Sequence, residues 1–236
     1  MPRNRRPIHP EPTVEAWLAP PSAQGLFDAA VLDGEQRARW LGLRSPRRRR
    51  DFEVSRALWQ AVAPPADLAW SLSHSHGHAA LAVSAHGPVG IDVEVCTQRD
   101  VVALAAAAFT ADEAAFVAGR ADEVAATQAF YELWVLKEAC AKALAVSLTQ
   151  VLQGTNFAAA IRGEVIGLGE RLRATGWGAW VYAPAAELRL AVFAAGHVNG
   201  AACEPSLHTW PPAERARWPL VHRLGHCVAG ARVARA

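Results

Sequence analysis

Val89-Gly90-Ile91-Asp92-Val93-Glu94-Val95 is the stretch on which the reading of this chain turns. Side chains on a strand alternate, so Ile91, Val93 and Val95 face a core while Asp92 and Glu94 share the opposite face, their Cα atoms about 7 Å apart. Two neighbouring carboxylates repel each other. The pair is stable in open solvent, as the acidic face of an edge strand, or around a cation, and a hard divalent ion with oxygen ligands is the usual partner where phosphates are bound.

The same order of elements is roughly repeated on either side of this strand. On the N-terminal side, residues 13–18 alternate like a strand, Asp33 to Leu41 reads as a short helix, and Ser45-Pro46 opens a helix through RRRRDFEVSRALWQAV that Pro64-Pro65 ends. Leu68–Ser75 and Ala79–Ser84 read as strands joined through Gly77, and His86-Gly87-Pro88 makes the next turn. After the acidic strand come an alanine-rich helix, a capping box at Thr110 and Glu113, and a long helix from about Val124 to Leu144. Asn156–Ile161, Val165–Leu168, Trp177–Ala183 and Leu188–Ala195 then read as strands. The fold class is α+β: a flexible segment 1–12, two similar halves at 13–88 and 89–196, and a tail at 197–236 that breaks the pattern and takes no assigned role.

With 236 residues, 52% of them hydrophobic, the chain can bury a large core, which excludes a disordered or fibrous protein. A net charge of +2 excludes a polycation that coats nucleic acid. Basic charge is local: Arg47 to Arg50 are consecutive, either an anion-binding surface or a solvated helix start. The four cysteines, Cys96, Cys140, Cys203 and Cys227, have no metal-binding spacing and fit a reducing compartment. No apolar run follows the basic N-terminus, and Val101–Phe109 is too short to span a bilayer, so a soluble cytoplasmic protein is expected. There are 51 alanines, and the 24 basic residues divide into 22 arginines and only two lysines, Lys137 and Lys142. An ammonium is a compact charge that a planar guanidinium does not replace, so these two positions call for an explanation.

Both lysines lie in Phe130-Tyr131-Glu132-Leu133-Trp134-Val135-Leu136-Lys137-Glu138-Ala139-Cys140-Ala141-Lys142, where Trp134, Glu138 and Lys142 stack at i, i+4 and i+8 on one helix face. A plain Glu138–Lys142 salt bridge beside a core tryptophan would also account for that face. In Ser71-Leu-Ser-His-Ser-His-Gly-His78, the three histidines alternate, but Gly77 turns the chain between the second and the third, which argues against a histidine metal site. Ser73 and His74 suit hydrogen bonding to an anionic ligand, with a purely structural role as the rival. P-loop, dinucleotide-binding, nucleophile-elbow and zincin motifs do not occur.

Taken in order, the arginine-rich helix, SLSHS, GIDVE at Gly90–Glu94, F-T-x-x-E at Phe109–Glu113 and W-x-x-K-E-x-x-x-K at Trp134–Lys142 resemble the 4'-phosphopantetheinyl transferase superfamily, in its Sfp-type form with two similar halves in one chain. The resemblance covers about residues 35 to 195 and implies a pseudo-dimeric fold with its active site between the halves. It implies transfer of the phosphopantetheine arm of coenzyme A to a serine of an acyl or peptidyl carrier protein, with release of adenosine 3',5'-bisphosphate. Asp92, Glu94 and Glu138 would hold Mg²⁺, and Glu138 or a water on it would be the base. Lys142 would meet the leaving phosphate, and Lys137 would bind the coenzyme while supporting the cluster or the neighbouring acids. Arg50, with Arg37 or Arg39, and Ser73 with His74 would receive the 3'-phosphate and adenine end. A monomer is expected, with no membrane or nucleic-acid partner, and a carrier-docking surface near Phe109–Asp122.

The chain departs from the family in two places. Where K-x-x-G-x-G-L is usual it reads Lys142-Ala-Leu-Ala145-Val-Ser147-Leu148, which implies a different exit from the long helix, and Ala63–Trp70 is short and lacks the usual turn. The alternatives are a catalytically weak coenzyme A-binding module of the same fold and an arginine-rich nucleic-acid binder.

Overall fold

The structure, a computed structural model, describes residues 14–164, 176–195, 204–212 and 218–226. Strands β1 (Val14–Ala19), β2 (Ala69–Ser75) and β3 (His78–Ser84) build the first sheet. A second is built from β4 (Val89–Val95), β5 (Trp177–Ala185) and β6 (Leu188–Ala195). The segment after residue 196, which the sequence left without a place, adds one strand to each: β7 (Ser206–Thr209) runs parallel to β1, and β8 (Leu220–His226) runs antiparallel to β5. The orders are β2-β3-β1-β7 and β4-β6-β5-β8.

The two sheets pack face to face. Val14, Ala16 and Leu18 of β1 meet Ile91 and Val93 of β4 and Leu190 and Val192 of β6 in one buried cluster. The period of two then sends the alternate residues outward, Leu81 and Val83 of β3 against one helix and Ala191 and Phe193 of β6 against another. Those helices are α2 (Pro46–Val62) and α5 (Glu123–Leu144), so the layers run helix, sheet, sheet, helix. Before α2 lies α1 (Gly34–Gly42), and between β4 and α5 lie α3 (Val101–Ala108) and α4 (Ala111–Ala118). The hairpin between β2 and β3 turns at His76 and Gly77, both with positive φ (49° and 83°), which places His74 and His78 on different strands.

The helix boundaries follow their capping residues. Ser45 accepts from the Arg48 amide with Pro46 behind it, Asp33 caps α1, and the Thr110–Glu113 capping box starts α4. Beyond α5 come α6 (Leu148–Gly154), capped by Ser147, and α7 (Phe157–Ile161). The strand expected at Asn156–Ile161 is therefore a helix. Asn156 accepts from the Ala159 amide, and the three alanines that follow favour helix over strand. The expected strand at Val165–Leu168 lies outside the described residues.

The exit from α5 also differs from expectation. Ala145 takes the left-handed conformation, φ 52° and ψ 41°, so the geometry that a glycine would supply is kept on an alanine. A Cβ in that region costs about 1–2 kcal/mol, partly offset by the backbone entropy that a glycine would lose on folding. Ala145→Gly is accordingly expected to raise the thermal midpoint by roughly 1–4 °C. A lower midpoint in a melting curve would refute that account.

Candidate active site

Gly90 lets α5 lie directly on β4. A Cβ at residue 90 would overlap the Ala139 carbonyl oxygen and stand 2.8 Å from the Ala143 amide nitrogen, so no larger residue fits without parting the strand from the helix. This approach brings the next residues on the same strand face, Asp92 and Glu94, to the helix face that carries Glu138 and Lys142. Lys142 passes over its own-helix neighbour Glu138 and reaches β4, donating to the Ile91 carbonyl (3.1 Å) and to Asp92 Oδ1 (2.7 Å). The simple i, i+4 salt bridge is thus not the use made of that lysine.

Asp92 is buried, 4% exposed, and Ser73 Oγ also donates to its Oδ1 (2.7 Å). Its Oδ2 is buried with no hydrogen-bond partner among the described residues. Burial, and then the charges of Asp92 and Glu138, push Glu94 up to about 7 against the opposing hydrogen bond from Ser75 (2.6 Å). Burial followed by the Asp92 charge likewise raises Glu138 above the ordinary carboxylate value, with Lys142 acting the other way. Three carboxylates share one ammonium, and the cluster carries surplus negative charge. Among the described residues no group of three or more His, Cys, Asp and Glu side chains is drawn together tightly enough to hold a metal ion. Asp92, Glu94 and Glu138 lie within electrostatic reach of one another without forming a closed ligand shell.

A groove of about 540 Å³ borders this cluster, walled by Arg47 and Arg48 of α2, His74 of β2, Glu94, and Phe130 and Trp134 of α5. Its wall combines basic and aromatic side chains. The run of four arginines divides by contact. Arg49 turns inward, its guanidinium 4.5 Å from the Trp40 ring and its Nε 3.1 Å from Glu53. Arg50, the sequence candidate, lies across the hairpin tip, its Cδ 2.9 Å from where a Gly77 Cβ would be, and is not part of the groove wall. Arg47, which lies 3.9 Å from Asp51, and Arg48 line the groove, in the first turn of a helix whose dipole disfavours cations and attracts anions.

Arg37 donates to the Ala29 carbonyl (2.8 Å) on the surface. Arg39 lies over the Phe52 ring (6.0 Å), as does Arg56 (5.3 Å), a residue the sequence reading passed over. Arg56 Nε is buried with no partner among the described residues, and burial followed by the nearby Arg39 charge lowers its proton affinity. Both helices are anchored through Glu53, which accepts from Trp40 Nε1 (2.8 Å), Gln24 Nε2 (2.6 Å) and Arg49.

Ser73 was expected to touch the ligand, but its hydroxyl is committed to Asp92. His74 is exposed at the groove. Lys137 was expected to bind the coenzyme and to support the cluster or the neighbouring acids, and the structure places it on Glu113, which is not one of the cluster's three carboxylates. It is fully buried, its Nζ 2.8 Å from Glu113 Oε2 and donating to the Val151, Leu152 and Thr155 carbonyls (3.1, 2.9 and 2.6 Å). With four acceptors around three N–H bonds, Lys137 has none left for a ligand, and coenzyme contact is corrected to a structural role.

Lys142 thus sits in a slot where one compact ammonium bridges a carbonyl and a carboxylate, a geometry that a planar fork does not reproduce. Lys142→Arg is expected to lower kcat for the reaction at this site at least about tenfold, the cost of one misplaced charged hydrogen bond. An unchanged rate would make the retained lysine an accident of composition.

No helix among the described residues is long and apolar enough to cross a membrane. No curated protein matches the sequence. A family model does match, over residues 88–175, and that stretch holds Asp92, Glu94, Glu138 and Lys142 together with the Glu113–Lys137 pair. The matching model is that of the 4'-phosphopantetheinyl transferase superfamily, and what the chain shares with it is this stretch, with its acidic strand laid on its Trp-Lys-Glu helix.

Proposed function

We propose that the chain is a Mg²⁺-dependent 4'-phosphopantetheinyl transferase that moves the phosphopantetheine arm of coenzyme A to a serine of an acyl or peptidyl carrier protein. The observation that carries this reading is the cluster itself: Asp92 and Lys142 in contact, with Glu94 and Glu138 beside them, next to a groove whose wall includes arginines.

The donor set suits the metal. Asp92 Oδ2 is a buried carboxylate oxygen without a partner among the described residues, and surplus negative charge from oxygen donors is what a hard divalent cation offsets. Asp92, Glu94 and Glu138 would hold it. When bound, Mg²⁺ would neutralise charge on the phosphoryl oxygens as the serine attacks. Glu138 carries a proton affinity above that of an ordinary carboxylate, which suits a base that takes the serine proton. Lys142 would offset charge on the departing bisphosphate. Arg47 and Arg48, with the first turn of α2 behind them, would draw in the nucleotide phosphates, and Arg39 with Arg56 forms a second cation pair on the same half.

Carrier contact is assigned to α3, which has no charged side chain, exposes Val102 and Leu104, and enters the groove wall through Leu104. The test is direct. The purified chain is incubated with coenzyme A, Mg²⁺ and an apo carrier, and the carrier is weighed. A gain of one phosphopantetheine that EDTA prevents is expected. Retention of coenzyme A without any mass gain across fatty-acid, polyketide and peptide carriers would favour a binding module of the same fold.

A further inference from the structure

Ser71, Ser73 and Ser75 alternate along β2, and all three are buried (8%, 7% and 5% exposed). Their strand is one edge of the first sheet, and β4 is one edge of the second. No backbone ladder joins the two edges; the serine hydroxyls do. Ser71 Oγ accepts from the Ile91 amide (3.1 Å), Ser73 Oγ donates to Asp92 Oδ1 (2.7 Å), and Ser75 Oγ donates to Glu94 Oε2 (2.6 Å) while lying 3.5 Å from the Val95 amide. Each serine therefore meets its own position on β4; Ser73 points its single proton at the Asp92 carboxylate, and Ser75 Oγ, against Glu94, also lies 3.0 Å from His76 Nδ1.

A hydroxyl has one proton to give, and a buried one has few alternatives. If the edges needed only to pack, small apolar residues would serve without any polar group to satisfy. The chosen residues do something packing does not require: they fix which carboxylate oxygen is engaged. On Asp92 both donors, Ser73 and Lys142, sit on Oδ1, and Oδ2 has no partner among the described residues. A carboxylate free to turn about its last bond would offer either oxygen, whereas one held by two donors on the same atom offers only the other.

We propose that Ser73 and Ser75 are positioning residues for the acidic strand, through which the N-terminal half sets the orientation of Asp92 and Glu94 for a divalent cation. The family match begins at residue 88, so the strand that does this lies outside the matched stretch. The inference rests on the transferase reading for its purpose but not for its measurement, which is cation binding by the full chain without coenzyme or carrier.

Mn²⁺ affinity is measured by the electron paramagnetic resonance signal of the free ion for the parent, Ser71→Ala, Ser73→Thr and Ser73→Val. Thr and Val have the same shape and differ by the hydroxyl. Removing a hydrogen-bond partner of a metal-ligating carboxylate typically costs about 10–100-fold in affinity. Ser73→Val is therefore expected to weaken Mn²⁺ binding at least about tenfold, with Ser73→Thr close to the parent. Ser71→Ala, which loses only a backbone contact, is expected within about twofold. In turnover assays the same Val variant lowers kcat by a similar factor, with KM for coenzyme A little changed.

Equal affinities for the Thr and Val variants would overturn the proposal, as would a Ser71→Ala loss as large as that of Ser73→Val, which would mean general loosening of the edge. A parent that binds no Mn²⁺ would overturn it too. If the parent shows the Mn²⁺ pattern but transfers nothing to any carrier, the transferase reading fails and the positioning role stands. If the parent transfers but the pattern is missing, the reverse holds.

Discussion

Asp92→Asn and Glu138→Gln are each expected to abolish phosphopantetheine transfer, and Glu138→Gln to leave the fold as stable as the parent, or more so. Both substitutions keep the shape of the side chain and remove one negative charge. For Glu138, loss of the proton acceptor alone is worth about 10²–10⁴-fold in rate. For Asp92, the loss removes the buried oxygen offered to the cation and the counter-charge of Lys142 together, and a decrease of at least about 10³-fold is expected.

The stability half of the prediction follows from charge. Glu94 and Glu138 both hold their protons more tightly than ordinary carboxylates, because burial and neighbouring acids disfavour the ionised forms. A group whose folded-state pKa is raised destabilises the fold once it is ionised, so neutralising one member relieves repulsion at neutral pH. A thermal midpoint unchanged or raised by a few degrees for Glu138→Gln, with transfer lost in the mass assay, is the expected pair of results. An active Asp92→Asn enzyme would remove the metal assignment, and an inactive but strongly destabilised one would make the cluster structural.

Lys137→Met is expected to do the opposite and strongly destabilise the fold. Glu113 and Lys137 are both without solvent exposure and 2.8 Å apart. Glu113 also accepts from Thr110 and from the Phe157 amide (2.8 Å), while Lys137 holds three carbonyls from α6 to Thr155. The pair therefore fixes α4, α5, α6 and the start of α7 to one another. Removing one partner strands a buried charge, which costs about 3–5 kcal/mol, against a total stability of about 5–15 kcal/mol for a typical domain. The double variant Lys137→Met with Glu113→Gln is expected to recover part of that loss, since no charge is left alone. Chemical denaturation of the parent and both variants measures it. A single variant as stable as the parent would mean that the pair contributes nothing net.

Much of this was legible along the chain. Period-two alternation in VGIDVEV put Asp92 and Glu94 on one face, and the i, i+4, i+8 spacing from Trp134 put Glu138 and Lys142 on another, because both patterns are local consequences of backbone geometry. Caps at Ser45 and Thr110 stood where Ser-Pro and T-x-x-E signalled them. Asn156 misled, because a cap followed by alanines in a short apolar run was read as a strand. The tail strands left no local signal strong enough to find, since β7 and β8 exist through their pairing with β1 and β5. Arg56 was passed over because the isolated arginine stood beside a conspicuous run of four.

The two lysines mark where local pattern stops. By itself the sequence determined that a chain built with arginine keeps Lys137 and Lys142 on one helix, on either side of Glu138, and so identified positions where a compact ammonium is needed. It could not divide them, because spacing along a helix says which face a residue is on and not what lies opposite. Tertiary structure decided that Lys142 meets the acidic strand, across the close approach of α5 to β4 that Gly90 allows, and that Lys137 is sealed among carbonyls and Glu113. It also decided that Ser73 meets Asp92, since that contact joins edges of two sheets that no local rule brings together.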